Sequence, residues 1–536
     1  MLPSFLFIYY FADTLRIEGI TLNPNMNIDY NQLFQQEFSK LNPEQQAAVT
    51  TTEGPVLVIA GPGTGKTQIL AARIANIISV SDNKAEDVLC LTYTDAGAIA
   101  MRKRLLQFIG PDAYKVEVQT FHAFCNMVIQ ENLDHFGLRG LDAISELEQI
   151  EFVHQIIDGF PKNHPLKRYT GDVYYETKKL LGLYEQMKRD NWTAAYLHQQ
   201  IDLYLEDIKT RDEYIYKKTT KYGKAGDLKQ NVYDAEVNRM VQLKAAADTF
   251  DTYQNVLKKH GRYDFADMIL WVIDAFKQKP DMLSQYQEKY QYFLVDEYQD
   301  TSGAQNEVLQ LLIQYWDSPN VFCVGDDDQS IYRFQGANVE NIQHFKKLYQ
   351  PEGLTEISLV ENYRSTQYIL DAAKALISNN KVRLDPNKTL VAKNAALSNL
   401  PIKPTLLEYY NLAHEAVGIA QQIERLKQLG TKLSDIAVIY RKHNQAEDII
   451  KYLQAKKIGV NAKKKVDILH EPLIKKIVQM LRYVSAENHK ANTGEAFIYE
   501  LLHFDFFNIP PIEIARISVN VSVSYTHLTL PTILRV

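Results

Sequence analysis

Gly61, Gly63 and Gly65 alternate through a short stretch that runs directly into Lys66 and Thr67. Glycines so spaced let successive backbone N–H groups turn inward around an anion, and the adjoining ammonium and hydroxyl add a full charge and a ligand for a divalent ion. The chemistry this pattern favours is the cradling of a polyphosphate. Ala60, Gly61, Pro62, Gly63, Thr64 and Gly65 form the loop, Lys66 lies by the β- and γ-phosphates, and Thr67 ligates magnesium. Ala60 stands where the pattern opens with glycine, which leaves the cradling residues untouched. The elements that must position this loop flank it. Val56, Leu57, Val58 and Ile59 are apolar and mostly β-branched, as in a buried strand, and residues 68–78 read as a helix whose positive end faces the phosphates.

A second constellation follows far along the chain. The apolar run 292–295 ends in Asp296 and Glu297, so a strand delivers two adjacent carboxylates from its C-terminal end. Asp296 is placed to hold magnesium and Glu297 to orient and deprotonate an attacking water. Another apolar run, 321–324, leads through Asp326, Asp327 and Asp328 to Gln329, which can contact a γ-phosphate, and then to Tyr332 and Phe334, which can stack on bases. Upstream, Asn42 and Pro43 are the cap and first residue of a helix, and the Gln45 amide can read an adenine edge through paired hydrogen bonds.

The surrounding chain is that of a soluble globular protein. Its 536 residues suit about three or four domains, with 46% hydrophobic and 23% charged residues. The three cysteines, Cys90, Cys125 and Cys323, are scattered in apolar surroundings, which excludes a disulfide framework or a cysteine metal site and suits reduced core residues in the cytoplasm. A formal charge of −6 provides no global basic field, so a nucleic acid would have to be held locally. Local basic patches are Lys217, Lys218, Lys221 and Lys224, then Lys463, Lys464 and Lys465. The apolar stretch 2–12 is too short to span a bilayer and lacks a basic lead-in or a cleavage site. No membrane association is expected. Strands at 87–93, 292–295, 321–324, 356–359 and 436–439 alternate with helical runs such as 96–109, which argues for an α/β fold with a parallel sheet. Between 124 and 260 the pattern becomes long amphipathic helices, a helical insertion.

Taken together, these stretches resemble superfamily 1 DNA helicases of the UvrD/Rep type. The matching segments are 41–49, 60–67, 92–95, 120–122, 264–267, 296–301, 325–337 and 361–365, in the family's order. The resemblance implies RecA-like parallel-sheet motor domains with a large helical insertion. It divides the chain into a non-native or disordered extension (1–25), a first motor domain (26–123 and 266–355) interrupted by the insertion (124–265), the first part of a second motor domain (356–482), the start of a helical accessory insertion (483–520) and an aberrant tail (521–536). It implies ATP and magnesium as cofactors, single-stranded DNA and single-strand/duplex junctions as partners, and 3′ to 5′ movement. Tyr363 would stack on adenine, Arg364 would reach the γ-phosphate, and Tyr93, Phe121, His122, Tyr332 and Phe334 would lie along the DNA strand. Asp95, Ala96, Phe334 and Gln335 depart from the family's usual Asn, Lys, Trp and Arg. The family's later motifs find no match after Arg482, and 521–536 resembles translated adapter sequence, so the chain is expected to be a fragment. The other function class compatible with these residues is an ATP-switched DNA-binding or regulatory protein without motor activity.

Overall fold

The computed structural model describes residues 29–136, 140–330, 340–380, 383–397, 400, 403–462, 468–489 and 493–520. They fall into two compact units, Met1–Pro404 and Thr405–Val536. The first is built on a six-stranded sheet of β1 (Val56–Ala60), β2 (Val88–Thr92), β3 (Glu117–Thr120), β4 (Tyr292–Val295), β5 (Val321–Gly325) and β6 (Thr355–Leu359). The order is β3-β2-β4-β5-β1-β6 and every pairing is parallel. Parallel strands are covered on both faces, which is why the central ones are unbroken apolar runs.

The two faces follow the period of two along each strand. Leu57, Ile59, Leu89, Leu91, Phe293 and Val295 point into one layer, with residues of helices Phe121–Glu131, Phe265–Gln278, Gly303–Ile313 and Glu340–Tyr349. Val56, Val58, Val88, Cys90, Leu294 and Phe322 point into the other, with helices Pro43–Thr50, Lys66–Val80 and Asp95–Ile109. Cys90, Cys125 and Cys323 are all buried and unpaired, as expected. Arg73 is buried too, and its guanidinium bonds the carbonyls of Ala48, Thr51 and Thr52 while lying 4.3 Å over the Phe322 ring. This ties the end of helix Pro43–Thr50 to the helix after the glycine loop.

Strand pairing and core membership add detail to this layout. β3 was not legible, because Val118 is its only apolar residue and it forms the sheet edge. The strand at 356–359 belongs to this first sheet, since Val58 pairs with Ile357 and Ala60 with Leu359. Residues 356–404 fall within the first compact unit. Phe124, Cys125, Val128 and Ile129 belong to the sheet core, and a separate core runs from Phe152 to Leu257. At its neck, Asp142–Ala143 pairs in parallel with Arg262–Tyr263. Within the insertion, residues 214–229 form a short antiparallel arm held by Tyr216 N to the Asp227 carbonyl (3.0 Å) and Thr220 N to the Gly223 carbonyl (2.8 Å), and it displays Lys217, Lys218, Lys221 and Lys224.

In the second unit, helices Leu412–Gln428 and His443–Ala455 pack through Ala416, Ala420, Ile423, Ile449 and Leu453, followed by helices Pro472–His489 and Glu495–Leu502. The strand expected at 436–439 is irregular, and Ile439 is 95% exposed. A strand needs a neighbour to satisfy its backbone groups, and no strand of the described residues pairs with this one. Lys463, Lys464, Lys465 and the segments 1–25 and 521–536 lie outside the described residues. Among the described residues no helix is long and apolar enough to cross a membrane.

Candidate active site

The glycine loop emerges from the C-terminal end of β1. Gly63 (φ +69°) and Gly65 (φ +90°) adopt left-handed conformations in which a Cβ would crowd the neighbouring carbonyl, so only glycine fits without strain. Thr64 is buried and donates from Oγ1 to the Gly61 carbonyl (2.8 Å). Lys66 and Thr67 open the following helix, and the Lys66 side chain is only 10% exposed. Gln45 lies against the loop, where Nε2 donates to the Thr64 carbonyl (2.9 Å) and Oε1 accepts from Asn42 N (3.0 Å). Both ends of its amide are thus taken up by backbone, joining the loop to a helix that Asn42 and Gln45 cap reciprocally. Gln45, expected to read an adenine edge, also holds the loop, and its amide keeps a second N–H and a second oxygen lone pair beyond these bonds.

At the end of β4 the two carboxylates arrive as the sequence suggested. Glu297 has φ +49°, a conformation unusual for a residue with a Cβ and a local strain held by its surroundings. Its Oε2 lies 2.5 Å from Lys66 Nζ and accepts from Gln299 Nε2 (2.8 Å). Asp296 is buried, and its Oδ1 accepts from Glu297 N (2.9 Å). Burial, then the neighbouring Glu297 charge, push the Asp296 carboxyl up to about 6 against the opposing pull of Lys66. Asp300 is pushed up to about 6 by the same causes in the same order. A site with too much negative charge for its solvation is relieved by a cation, so these residues suit a divalent ion beside Thr67 and Asp296.

A short segment beyond the sheet covers the loop. Glu361–Asn362 pairs with Val391–Ala392, and the buried Asn362 accepts through Oδ1 from Arg364 N (2.9 Å) and Ser365 N (2.7 Å) while donating from Nδ2 to the Pro62 carbonyl. Tyr363 N donates to the Gly63 carbonyl (2.9 Å). The Tyr363 hydroxyl donates to Glu361 Oε2 (2.7 Å) and accepts from Asn42 Nδ2 (3.2 Å), leaving the ring 37% exposed. Arg364 is exposed next to the loop. A Cβ on Gly63 would meet Arg364 Cβ at 2.6 Å and Asn362 Nδ2 at 2.8 Å. Gly63→Ala is therefore expected to destabilise the fold by about 1–2 kcal/mol from the left-handed backbone alone, with the collision added. Thermal unfolding measures this, and an unchanged melting temperature would contradict the packing described. Gln329, the expected γ-phosphate contact, donates from Nε2 to Asp326 Oδ2 (2.7 Å), and Asp326 N in turn donates to Gln299 Oε1 (2.9 Å).

The residues expected along a DNA strand separate. Tyr93 and His122 line a cavity of about 900 Å³ between the sheet unit's helices and the insertion, and burial holds the His122 imidazole below its usual pKa. Phe121 does not reach it. It is 2% exposed and packed in the core beneath the sheet, because the helix that begins at Phe121 turns adjacent side chains to different sides. Tyr332 and Phe334 lie outside the described residues. A residue given no role from sequence, Phe265, is 68% exposed on the cavity wall. Its signal was the capping pair Asp264 and Asp267, which puts Phe265 at the first helical position, facing outward. Lys188 fixes that turn from the insertion side, with Nζ 2.6 Å from Asp264 and 2.7 Å from Asp267.

The UvrD/REP helicase N-terminal domain matches residues 41–350, and the UvrD-like helicase C-terminal domain matches residues 357–524. The chain belongs to the UvrD/Rep helicase family. The break between the two matches lies near the boundary expected at 355, although strand pairing carries the first sheet on to Leu359. Within the UvrD/Rep family the chain is similar to the ATP-dependent DNA helicase PcrA of Bacillus subtilis, 32% identical over 462 residues that cover 86% of this chain and 54% of that protein. The ATP-dependent DNA helicase PcrA of Leuconostoc citreum is 33% identical over 415 residues, 76% of this chain and 48% of its own length. That of Staphylococcus aureus strain Mu50 is 31% identical over 410 residues, again 76% and 48%. The chain spans about half the length of the curated relatives it matches.

Proposed function

We propose that this chain carries the ATP-hydrolysing site of a DNA helicase that moves 3′ to 5′ along single-stranded DNA and separates duplex at single-strand junctions. The observation that carries this reading is the meeting of the Lys66 ammonium and the Glu297 carboxylate at 2.5 Å, between a glycine loop after β1 and a carboxylate pair after β4. In open parallel sheets, ligands bind beyond the carboxyl ends of the strands. Lys66 neutralises phosphate charge, and in turning from Glu297 to phosphate it frees that carboxylate to take a proton from water. Thr67 and Asp296 would hold magnesium, which when bound supplies charge stabilisation across the phosphate oxygens. Gln329 reads the γ-phosphate, Arg364 reaches it from the segment lying on Gly63, and the Tyr363 ring is the stacking face for adenine.

Tyr93, His122 and Phe265 form the strand-binding wall of the cavity. Phe265→Ala is expected to lower affinity for a single-stranded oligonucleotide by roughly 1–3 kcal/mol, the worth of one base stacked on a ring. A fluorescence titration that shows equal affinity for the variant would remove Phe265 from the path. The reading as a whole is tested by magnesium-dependent ATP hydrolysis with and without a single-stranded oligonucleotide. Stimulation by DNA supports the motor. ATP binding that alters DNA affinity with no turnover would instead make this an ATP-switched DNA-binding protein.

A further inference from the structure

Asp326, Asp327 and Asp328 follow β5, and their carboxylate oxygens converge within 4.8 Å of one another. Such a cluster repels itself unless a cation enters it. Lys388 supplies that cation, with Nζ 2.5 Å from Asp326, 2.8 Å from Asp328 and 3.5 Å from Asp327. Its side chain is only 4% exposed. Burial works against the charge, but the aspartates outweigh it and hold the Lys388 pKa above the usual lysine value. Arg383 closes the other side with two parallel bonds to Asp328, each 2.7 Å, and Leu384 N donates to Asp327 Oδ2 (2.6 Å). The ammonium sits where a metal ion would, so the cluster is not a metal site.

A buried ion network of this kind contributes little net stability, because desolvation offsets most of the attraction; its effect is on geometry. Two features show which geometry. Asp326 is also the residue that holds the Gln329 amide (2.7 Å) and, through Gln299, connects to Glu297. In the other direction, Leu390 lies against the glycine loop, where a Cβ on Gly61 would meet its side chain at 2.5 Å. Val391–Ala392 then pairs with Glu361–Asn362, just before Arg364.

We propose that Lys388 is a positioning residue that fixes Gln329 for reading the γ-phosphate and locks this sensor to the strand pair leading to Arg364. The inference rests on the nucleotide-site reading above. It predicts that discrimination between a triphosphate and a diphosphate depends on Lys388 as much as on Gln329.

The test uses the 536-residue chain with magnesium and two fluorescent probes, a mant-labelled non-hydrolysable ATP analogue and mant-ADP. In both Lys388→Met and Gln329→Ala the preference for the triphosphate should fall about tenfold, with mant-ADP affinity held within about twofold, as expected for one misplaced hydrogen bond to a charged group. The double variant should lose no more than either single one, and Lys388→Arg should restore part of the preference. If Lys388→Met does not fold, Arg383→Met gives the same readout with Lys388 in place. Retained preference in the Lys388 or Arg383 variant, while Gln329→Ala loses it, would overturn the positioning role. Equal loss of both nucleotides with a lower melting temperature would reduce Lys388 to a structural residue and overturn it as well. Failure of the unmutated chain to bind either probe would instead overturn the nucleotide-site reading itself.

Discussion

Replacing Lys66 with alanine is expected to lower turnover by at least about a hundred- to a thousandfold, the scale seen when one preorganised charge-stabilising donor is removed, and to weaken nucleotide binding with it. The effect has two parts. The ammonium beside the β- and γ-phosphates is lost in both ground and transition states. In addition, Lys66 is the ammonium that opposes the upward push on Asp296 and Asp300, both already at about 6. Without it these carboxyls rise further and hold protons nearer neutrality, so magnesium affinity should fall as pH drops toward 7. Calorimetric titration of nucleotide and magnesium together with steady-state hydrolysis measures both parts. Turnover equal to that of the unmutated chain would remove the phosphate-loop reading.

Glu297→Gln should separate binding from chemistry. Loss of a general base costs about a hundred- to ten-thousandfold in rate. Binding should persist or tighten, for a reason the structure supplies. Glu297 is the charged neighbour that raises both Asp296 and Asp300, and it holds Lys66 in an ion pair at 2.5 Å. The amide removes that repulsion and releases Lys66 to phosphate. Trapped nucleotide after rapid gel filtration is the expected result. A variant that retains no more nucleotide than Lys66→Ala would show that the two residues do not divide the work in this way.

What could be read from the residues alone follows from how local each signal is. β1, β2, β4 and β5 were legible because strands covered on both faces are unbroken apolar runs, β6 at one edge was legible through Ile357 and Leu359, and β3 at the other edge was missed because Val118 is its single apolar side chain. The glycine loop and the Asp296–Glu297 pair are contiguous, so their spacing alone revealed them. Phe121 and Phe265 show the opposite case. Each opens a helix beside a polar partner, and only the packed core decides that Phe121 is inside and Phe265 outside. Lys388 and Arg383 gave no signal at all, because their partners lie more than fifty residues away in sequence and meet only when the segment after Arg364 folds back on β5.

The strand order also sets a timetable. β1 is flanked by β5 and β6, and β2 is joined to β4, so β1 has no neighbour until Val321–Gly325 has been made and gains its second only with Thr355–Leu359. At the usual synthesis rate of roughly 5–20 residues per second, β1 waits on the order of 15–60 s between its own appearance and that of β6. The insertion need not wait. Its core is contiguous in sequence and its neck closes with the pairing of Asp142–Ala143 and Arg262–Tyr263, so it can fold while the apolar strands on either side stay open to chaperones or to other chains. The loop that would hold phosphate is thus synthesised well before the two strands that fix β1 in the sheet.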